Sequence, residues 1–132
     1  PRVLSAPADP YRIATPYSRR GSGLLELPIG VTRTLTGRLP FIGTSLIMAG
    51  LYGTRVLCRS IAGRSLVNLE LHGIDASDAE LDGLGWLAKA QPDLRKPAAL
   101  KLAILEAAVA ELRAAGYQFV TLEAAAQAFA QA

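Results

Sequence analysis

Residues Leu66–Asp75 read Leu-Val-Asn-Leu-Glu-Leu-His-Gly-Ile-Asp and contain the only histidine of the chain, His72. The apolar run predicts a β-strand over Leu66–Leu71, and Gly73 marks its end. Sites in parallel α/β proteins form at the carboxyl ends of strands, and an imidazole placed there can exchange protons near neutral pH. The sequence therefore indicates His72 as a candidate catalytic residue. The alternative is a structural histidine buried beside the strand.

Two carboxylates are expected close to His72. Glu70 lies two residues earlier, so in a strand it points to the same face, and Asp75 lies in the loop just beyond. A carboxylate that orients or charges an imidazole is common in acid–base sites. The nearby Asp78 is expected to cap a helix instead.

The rest of the second half predicts alternating helices and strands. The expected elements are a helix over Asp78–Ala90, a polar turn over Gln91–Lys96, an amphipathic helix over Ala98–Ala115 ended by Gly116, a strand over Tyr117–Leu122 and a helix over Leu122–Gln131 capped by Thr121. The apolar face of the long helix would carry Leu102, Leu105, Val109 and Leu112 and pack on a sheet. This order is typical of βαβ units in a parallel sheet, which needs further strands from elsewhere.

The first half is less regular. Residues 1–23 are expected to be loop, and Leu24–Val31 a short edge strand because of Pro28. No charge occurs over Leu39–Thr54. We expect a helix over Thr44–Ala62, with Thr44 or Ser45 as N-cap and Gly63 just after its end. Its apolar stripe favours a place in the core, with contact to a membrane surface as the open alternative.

Charge is divided unevenly between the halves. Residues 1–66 carry nine arginines against two acidic residues, and residues 67–132 carry five basic against nine acidic residues, which gives +7 and −4. The arginines are scattered and no nucleic-acid-binding motif occurs, so nucleic acid is not expected as a partner. The single Cys58 forms no intrachain disulfide, and without a signal peptide we expect a cytoplasmic or membrane-associated protein rather than a secreted one.

Several motifs together resemble the C-terminal end of the NodB-like polysaccharide deacetylases. In that family an apolar strand ends in a histidine, a loop and a long helix follow, and a closing strand reads Gly-Tyr-x-Phe-Val-Thr-Leu. Here residues 68–72 read Asn-Leu-Glu-Leu-His and residues 116–122 read Gly-Tyr-Gln-Phe-Val-Thr-Leu. Upstream, residues 23–29 read Gly-Leu-Leu-Glu-Leu-Pro-Ile, similar to Gly-Leu-x-Glu-Ile-Pro-Val in some branches.

The resemblance implies an α/β fold that is the C-terminal part of an irregular (β/α) barrel, incomplete over residues 24–132. In the family, a divalent, zinc-like metal held by an Asp and two His activates water to attack an N-acyl carbonyl. The histidine that matches His72 protonates the departing amine, and Glu26, Glu70 and Asp75 are candidates to support it or to contact the carbohydrate substrate. The Gly-Ile-Asp that follows His72 departs from the acidic residue found there in many members, which leaves the substrate class open.

The metal and base motifs of the family are absent from this sequence, so we assign no metal ligands and expect the isolated chain to be inactive. The leading hypothesis is the C-terminal part of a metal-dependent sugar N-deacylase, acting on a substrate that could be lipid-linked. It would need the missing N-terminal part of the domain or a partner chain. The alternatives are a non-catalytic carbohydrate-binding or interaction domain, and an unrelated small α/β interaction protein.

Overall fold

Two long helices form the core of the fold. The computed structural model describes residues 6–33 and 38–131, and in it α1 spans Gly43–Ile61 and α2 spans Ala98–Ala114. Their contact buries a cluster of apolar residues: Phe41, Leu46, Cys58, Ile61, Ile104, Ala108 and Leu112. Each large aliphatic or aromatic side chain buried there contributes about 1.5–3 kcal/mol, so this contact stabilises the fold more than any other.

The expected helix in the first half is confirmed, but it starts differently. Its N-cap is Ile42, which offers no side-chain hydrogen bond, so the prediction of Thr44 or Ser45 as N-cap is wrong. The helix is broken at Gly50, whose φ of 69° and ψ of −176° are not helical. The Thr54 hydroxyl donates a hydrogen bond of 3.0 Å to the Leu46 carbonyl across this break. Gly63 follows the helix with φ of 86°, as expected of a residue just past a C-cap.

Helix α2 buries a different face from the expected one. Its buried residues are Lys101, Ile104, Ala108 and Leu112, and the last three belong to the cluster packed against α1. Of the stripe predicted to cover a sheet, Leu102 is 47% exposed and Leu105 and Val109 are only partly buried. The contact with α1 therefore decides the orientation of α2, and the second apolar face is left incompletely covered.

A β-hairpin precedes the helices. Strands β1 (Tyr11–Ile13) and β2 (Arg20–Glu26) pair antiparallel, with an irregularity in register between Arg12 and Ile13. The expectation of loop over residues 1–23 is therefore wrong where β1 and the first part of β2 lie, and its first five residues fall outside the described part of the chain. The expected strand over Leu24–Val31 already ends at Glu26. Beyond it, Pro28 lacks a backbone N–H, and Val31 forms only an isolated bridge with Pro40.

Two predicted strands are not strands here. Residues 66–71 form one isolated parallel bridge, Ile42 with Glu70, and residues 117–121 lie outside any sheet. The expected packing of α2 on a sheet made of these two segments is therefore wrong. A strand needs a continuous ladder of backbone hydrogen bonds to a neighbour, and in the described residues the first segment makes a single bridge and the second makes none.

The helix predicted over Asp78–Ala90 is also wrong. Turns occupy this stretch, with a short 3-10 helix at Gly85–Leu87, and Gly83 has φ of 66°. Two more 3-10 turns lie at Gly73–Asp75 and Pro92–Arg95. The last helix, α3 (Leu122–Ala130), is confirmed, and Thr121 caps it by accepting the Ala124 N–H at 3.1 Å.

The chain is a small mixed α/β fold. In its described residues it has three α-helices and a two-stranded antiparallel sheet, and it is not closed into a barrel. The expected α/β class is confirmed. The expected sheet was parallel and came from the second half of the chain, whereas the observed sheet is antiparallel and comes from the first half. Within the described ranges, none of the helices combines the length and apolar character needed to cross a bilayer.

Candidate functional site

The main chain on either side of His72 is held in place. The Gly30 and Gly43 N–H groups donate to the carbonyls of Asn68 and Glu70 at 2.8 and 2.9 Å. Because these carbonyls lie two residues apart and face one side, the segment has the alternation of an extended chain. Val67 and Leu69 pack against the core from the opposite face to Glu70. The segment thus ends at the surface, where His72 follows.

The His72 ring lies outside the core. Its side chain is 55% exposed, so His72 is not the buried structural histidine considered as the alternative. It lines neither the groove described below nor the smaller cavity beside Cys58. The ring is therefore open to solvent or to a ligand rather than set in a formed cleft.

Carboxylates flank both ring nitrogens. Glu70 Oε1 is 3.7 Å from His72 Nε2, and Asp75 Oδ2 is 3.8 Å from Nδ1. His72, Glu70 and Asp75 therefore lie close together, as predicted. Both distances exceed a hydrogen bond, so the contacts are ionic when the ring is protonated. When the ring is protonated, a carboxylate lies near each of its nitrogens. The protonated form of the ring is the form that a proton donor needs.

Asp75 is fixed by the backbone of His72 and by the start of α1. Its Oδ2 accepts the His72 N–H at 2.7 Å, and its own N–H donates to the His72 carbonyl at 2.9 Å. Asp75 is 1% exposed, and its carboxylate lies so close to Gly43 that a Cβ at that position would overlap it. Since α1 has neither a side-chain cap nor an acidic residue in its first turn, this buried carboxylate supplies the negative charge that a helix N-terminus favours.

The loop that follows His72 is tied to α2 by a buried lysine. Lys101 is fully buried, and its Nζ donates to the carbonyls of Ile74 and Ser77 at 2.8 and 2.7 Å. Sequence reasoning missed this residue. Its position three and seven residues before Ile104 and Ala108 puts it on the same helix face, which is the signal that could have found it.

Asp78 caps two elements at once. Its Oδ1 accepts the N–H groups of Glu80 and Leu81, and its Oδ2 accepts the Ala98 N–H at 3.1 Å, at the start of α2. These hydrogen bonds lower the pKa of Asp78 below its ordinary 3.8, and the bond from the Ala98 N–H contributes most to this shift. The expected capping role is therefore present, but it serves a turn and the distant helix α2.

Glu26 is not brought to this site. It ends β2 opposite Tyr11, and no hydrogen bond or ion pair links it to His72 in the part of the chain that the structure describes. Over the same described residues, no three His, Cys, Asp or Glu side chains form a group that could hold a metal ion. The residues present do not fit a divalent metal.

An apolar groove lies beside the segment that carries His72. It has a volume of about 750 Å³ and is bounded by residues 65–69 and 116–122, with side chains of α2 and α3 as its floor. Phe119, Val120 and Leu122 line it and are each more than half exposed. The groove is therefore a mostly apolar surface with a defined shape.

No protein-family model, curated protein or solved structure matches the chain.

Proposed function

We propose that this chain is the C-terminal part of a metal-dependent carbohydrate N-deacylase, in which His72 donates a proton to the departing amine. The observation that carries the proposal is the exposed His72 ring with Glu70 and Asp75 at its two nitrogens. The resemblance of residues 66–122 to the end of the NodB-like deacetylases supports the same role. The finer fold that goes with it is the last part of an irregular (β/α) barrel.

In the proposed reaction, water adds to the N-acyl carbonyl of the sugar and the carbon–nitrogen bond then breaks. His72 gives its proton to the nitrogen as this bond breaks, which makes the amine a competent leaving group. Asp75 positions His72 through the main-chain hydrogen bond, and Glu70 holds the opposite ring nitrogen. Because the described residues do not fit a metal, its ligands and the base that activates water would come from polypeptide outside them.

A substrate carried on a lipid is compatible with the outer face of α1. Met48, before the break at Gly50, and Leu51, Tyr52 and Val56, after it, are 44–82% exposed. An apolar helix face of this kind can lie in the interface of a bilayer. This supports the membrane-surface contact considered for the uncharged stretch Leu39–Thr54.

The test is deacetylation of N-acetylglucosamine oligomers by the chain expressed together with its natural upstream sequence and supplied with zinc. His72→Asn should lower kcat by about 10²–10⁴-fold, the contribution of a general acid. Its melting temperature should match the unsubstituted protein because the ring is exposed. Glu80→Gln, an exposed carboxylate outside the site, is the matched control and should keep full activity. Activity of His72→Asn within about threefold of the control would exclude His72 as the acid.

The groove favours a second candidate function, a non-catalytic interaction domain. An apolar surface of defined shape marks a binding site more often than scattered exposed leucines do. In that case the His72→Asn variant would bind its partner normally, and neither protein would release acetate.

A further inference from the structure

The second half of α1 carries apolar and basic side chains on one face. Successive residues of a helix are turned by about 100° around its axis, so part of the helix after Gly50 falls within one arc of about 140°. The residues of this arc are exposed and form the basic face of α1: Leu51, Tyr52, Arg55, Val56 and Arg59. Tyr52 is 82% exposed. The residues that this half of the helix buries, Thr54, Cys58 and Ile61, lie outside the arc.

The basic face has an excess of positive charge. Between Glu26 and Glu70 the sequence contains five arginines and neither aspartate nor glutamate. Over the described residues, the only salt-bridge partner of Arg55 and Arg59 is Glu111 of α2, at 3.6 and 3.8 Å. One carboxylate stands against two guanidinium groups, whose side chains are 57% and 75% exposed.

A further cation lies at the end of the same helix. Arg33 is exposed, and its Nη1 donates to the Ala62 carbonyl at 3.2 Å, one turn beyond Arg59. The arginines therefore surround the exposed apolar side chains of α1 with positive charge, so an anionic surface is the charge complement of this face.

This combination of side chains fits the surface of a bilayer that contains anionic lipids. Leucine, valine and tyrosine enter the boundary between headgroups and acyl chains, where tyrosine keeps its hydroxyl hydrated. Arginine has a long aliphatic stem, so it reaches the lipid phosphates from the same helix face. Two copies of this face packed together would place arginine against arginine without an acidic residue on the face to pair them.

We propose that the basic face of α1 binds the surface of an anionic phospholipid bilayer. Leu51, Tyr52 and Val56 supply the apolar contact, and Arg55 and Arg59 bind the phosphates. The ligand is the membrane itself and not a lipid-linked substrate, so the proposal does not rest on the proposed deacylase function.

Cosedimentation with vesicles measures the binding. One set contains phosphatidylglycerol and phosphatidylcholine in equal amounts, and the other contains phosphatidylcholine alone. Each arginine near an anionic surface strengthens binding by about fivefold, so the mixed vesicles should be bound about tenfold or more tightly than the neutral ones. The chain is tested alone and together with its natural upstream sequence, and both forms should bind the mixed vesicles.

Fluorescence tests which part of the chain enters the membrane. Tyr52→Trp combined with Trp86→Phe places the only tryptophan on the basic face. Its emission should shift to the blue on the mixed vesicles and be quenched by brominated acyl chains. The unsubstituted chain is the matched control, because its single Trp86 is 77% exposed and lies outside α1, and its emission should not change.

Charge variants locate the site. Arg55→Gln combined with Arg59→Gln should reduce affinity for the mixed vesicles by about tenfold or more, and circular dichroism should show an unchanged fold because both side chains are exposed. Arg19→Gln combined with Lys89→Gln removes the same charge at two exposed residues outside α1, and affinity should stay within about threefold.

Four results would overturn the proposal. These are equal binding of both kinds of vesicle, equal loss in both pairs of glutamine variants, unchanged emission from position 52, and loss of vesicle binding when the natural upstream sequence is present. The last result would show that polypeptide covers the basic face, and so would dimers of the free chain that the Arg55 and Arg59 substitutions dissociate. None of these measurements uses deacylase activity, so their failure leaves the proposed function standing.

Discussion

Replacing Lys101 by methionine should loosen the loop that positions Asp75. Methionine keeps an unbranched apolar side chain in the buried position but removes the ammonium that binds the Ile74 and Ser77 carbonyls. Hydrogen bonds from a charged donor contribute about 1.5–3 kcal/mol each. Part of this total is offset because the ammonium is no longer taken out of water. We therefore expect Lys101→Met to lower the free energy of unfolding by about 2–3 kcal/mol.

Urea unfolding followed by circular dichroism measures this change. With a slope of about 1–3 kcal/mol per molar urea for a protein of this size, the midpoint should fall by about 0.7–3 M. Lys89→Met is the matched control because Lys89 is exposed, and its midpoint should not move. Native-state hydrogen exchange should show faster exchange of the Ser77 amide in Lys101→Met. Equal midpoints for the two variants would refute the argument that this lysine holds the loop.

Three further predictions test the packing. Gly43→Ala should lower stability by about 1–3 kcal/mol because its Cβ overlaps the Asp75 carboxylate, whereas Gly73→Ala, with nothing within 4 Å, should be close to neutral in the same urea titration. Burial raises the pKa of the Cys58 thiol to about 11, so the native chain should not react with Ellman's reagent at neutral pH. One thiol per chain should react in urea. Rapid reaction of the native chain would contradict the buried position of Cys58. Burial acts to raise the pKa of Asp9, but hydrogen bonds from Ser65 and Arg64 outweigh burial and lower the pKa below 3.8. The ionised Asp9 carboxylate therefore stabilises the fold above pH 3.8, and this stabilisation is lost as the pH falls through the lowered pKa. Asp9→Asn should therefore be less stable than the unsubstituted chain at neutral pH, and the gap should narrow in acid; a gap independent of pH would disprove the linkage.

Local signals in the sequence were enough to predict that α1, α2 and α3 exist, but not the N-cap of α1 or its break at Gly50. Repeated apolar positions placed α1, α2 and α3, and their ends follow from single residues: Gly63, Gly116 and Thr121. The neighbourhood of His72 was also predictable, because alternation along an extended chain puts Glu70 on its face and a tight turn brings Asp75 back. These features depend on residues within a few positions of each other.

Features that depend on distant residues could not be predicted. The contact of Asp75 with Gly43 and the capping of α2 by Asp78 join residues 32 and 20 positions apart. The stretch 78–90 has helical composition and Asp78 caps its first turn, but Gly83 takes a positive φ, which interrupts a helix. The segment 66–71 has the composition of a strand, but within the described residues it forms only one isolated bridge, between Glu70 and Ile42.

The break at Gly50 bears on how the chain folds. Helical hydrogen bonding does not propagate through a residue with φ of 69°, so α1 consists of two short pieces on either side of it. Isolated helices shorter than about 12–15 residues are marginal in water, and neither piece reaches that length. The 17 residues of α2 are uninterrupted and rich in alanine. We infer that α2 can begin to form as an isolated helix, whereas α1 becomes helical only when it packs against α2.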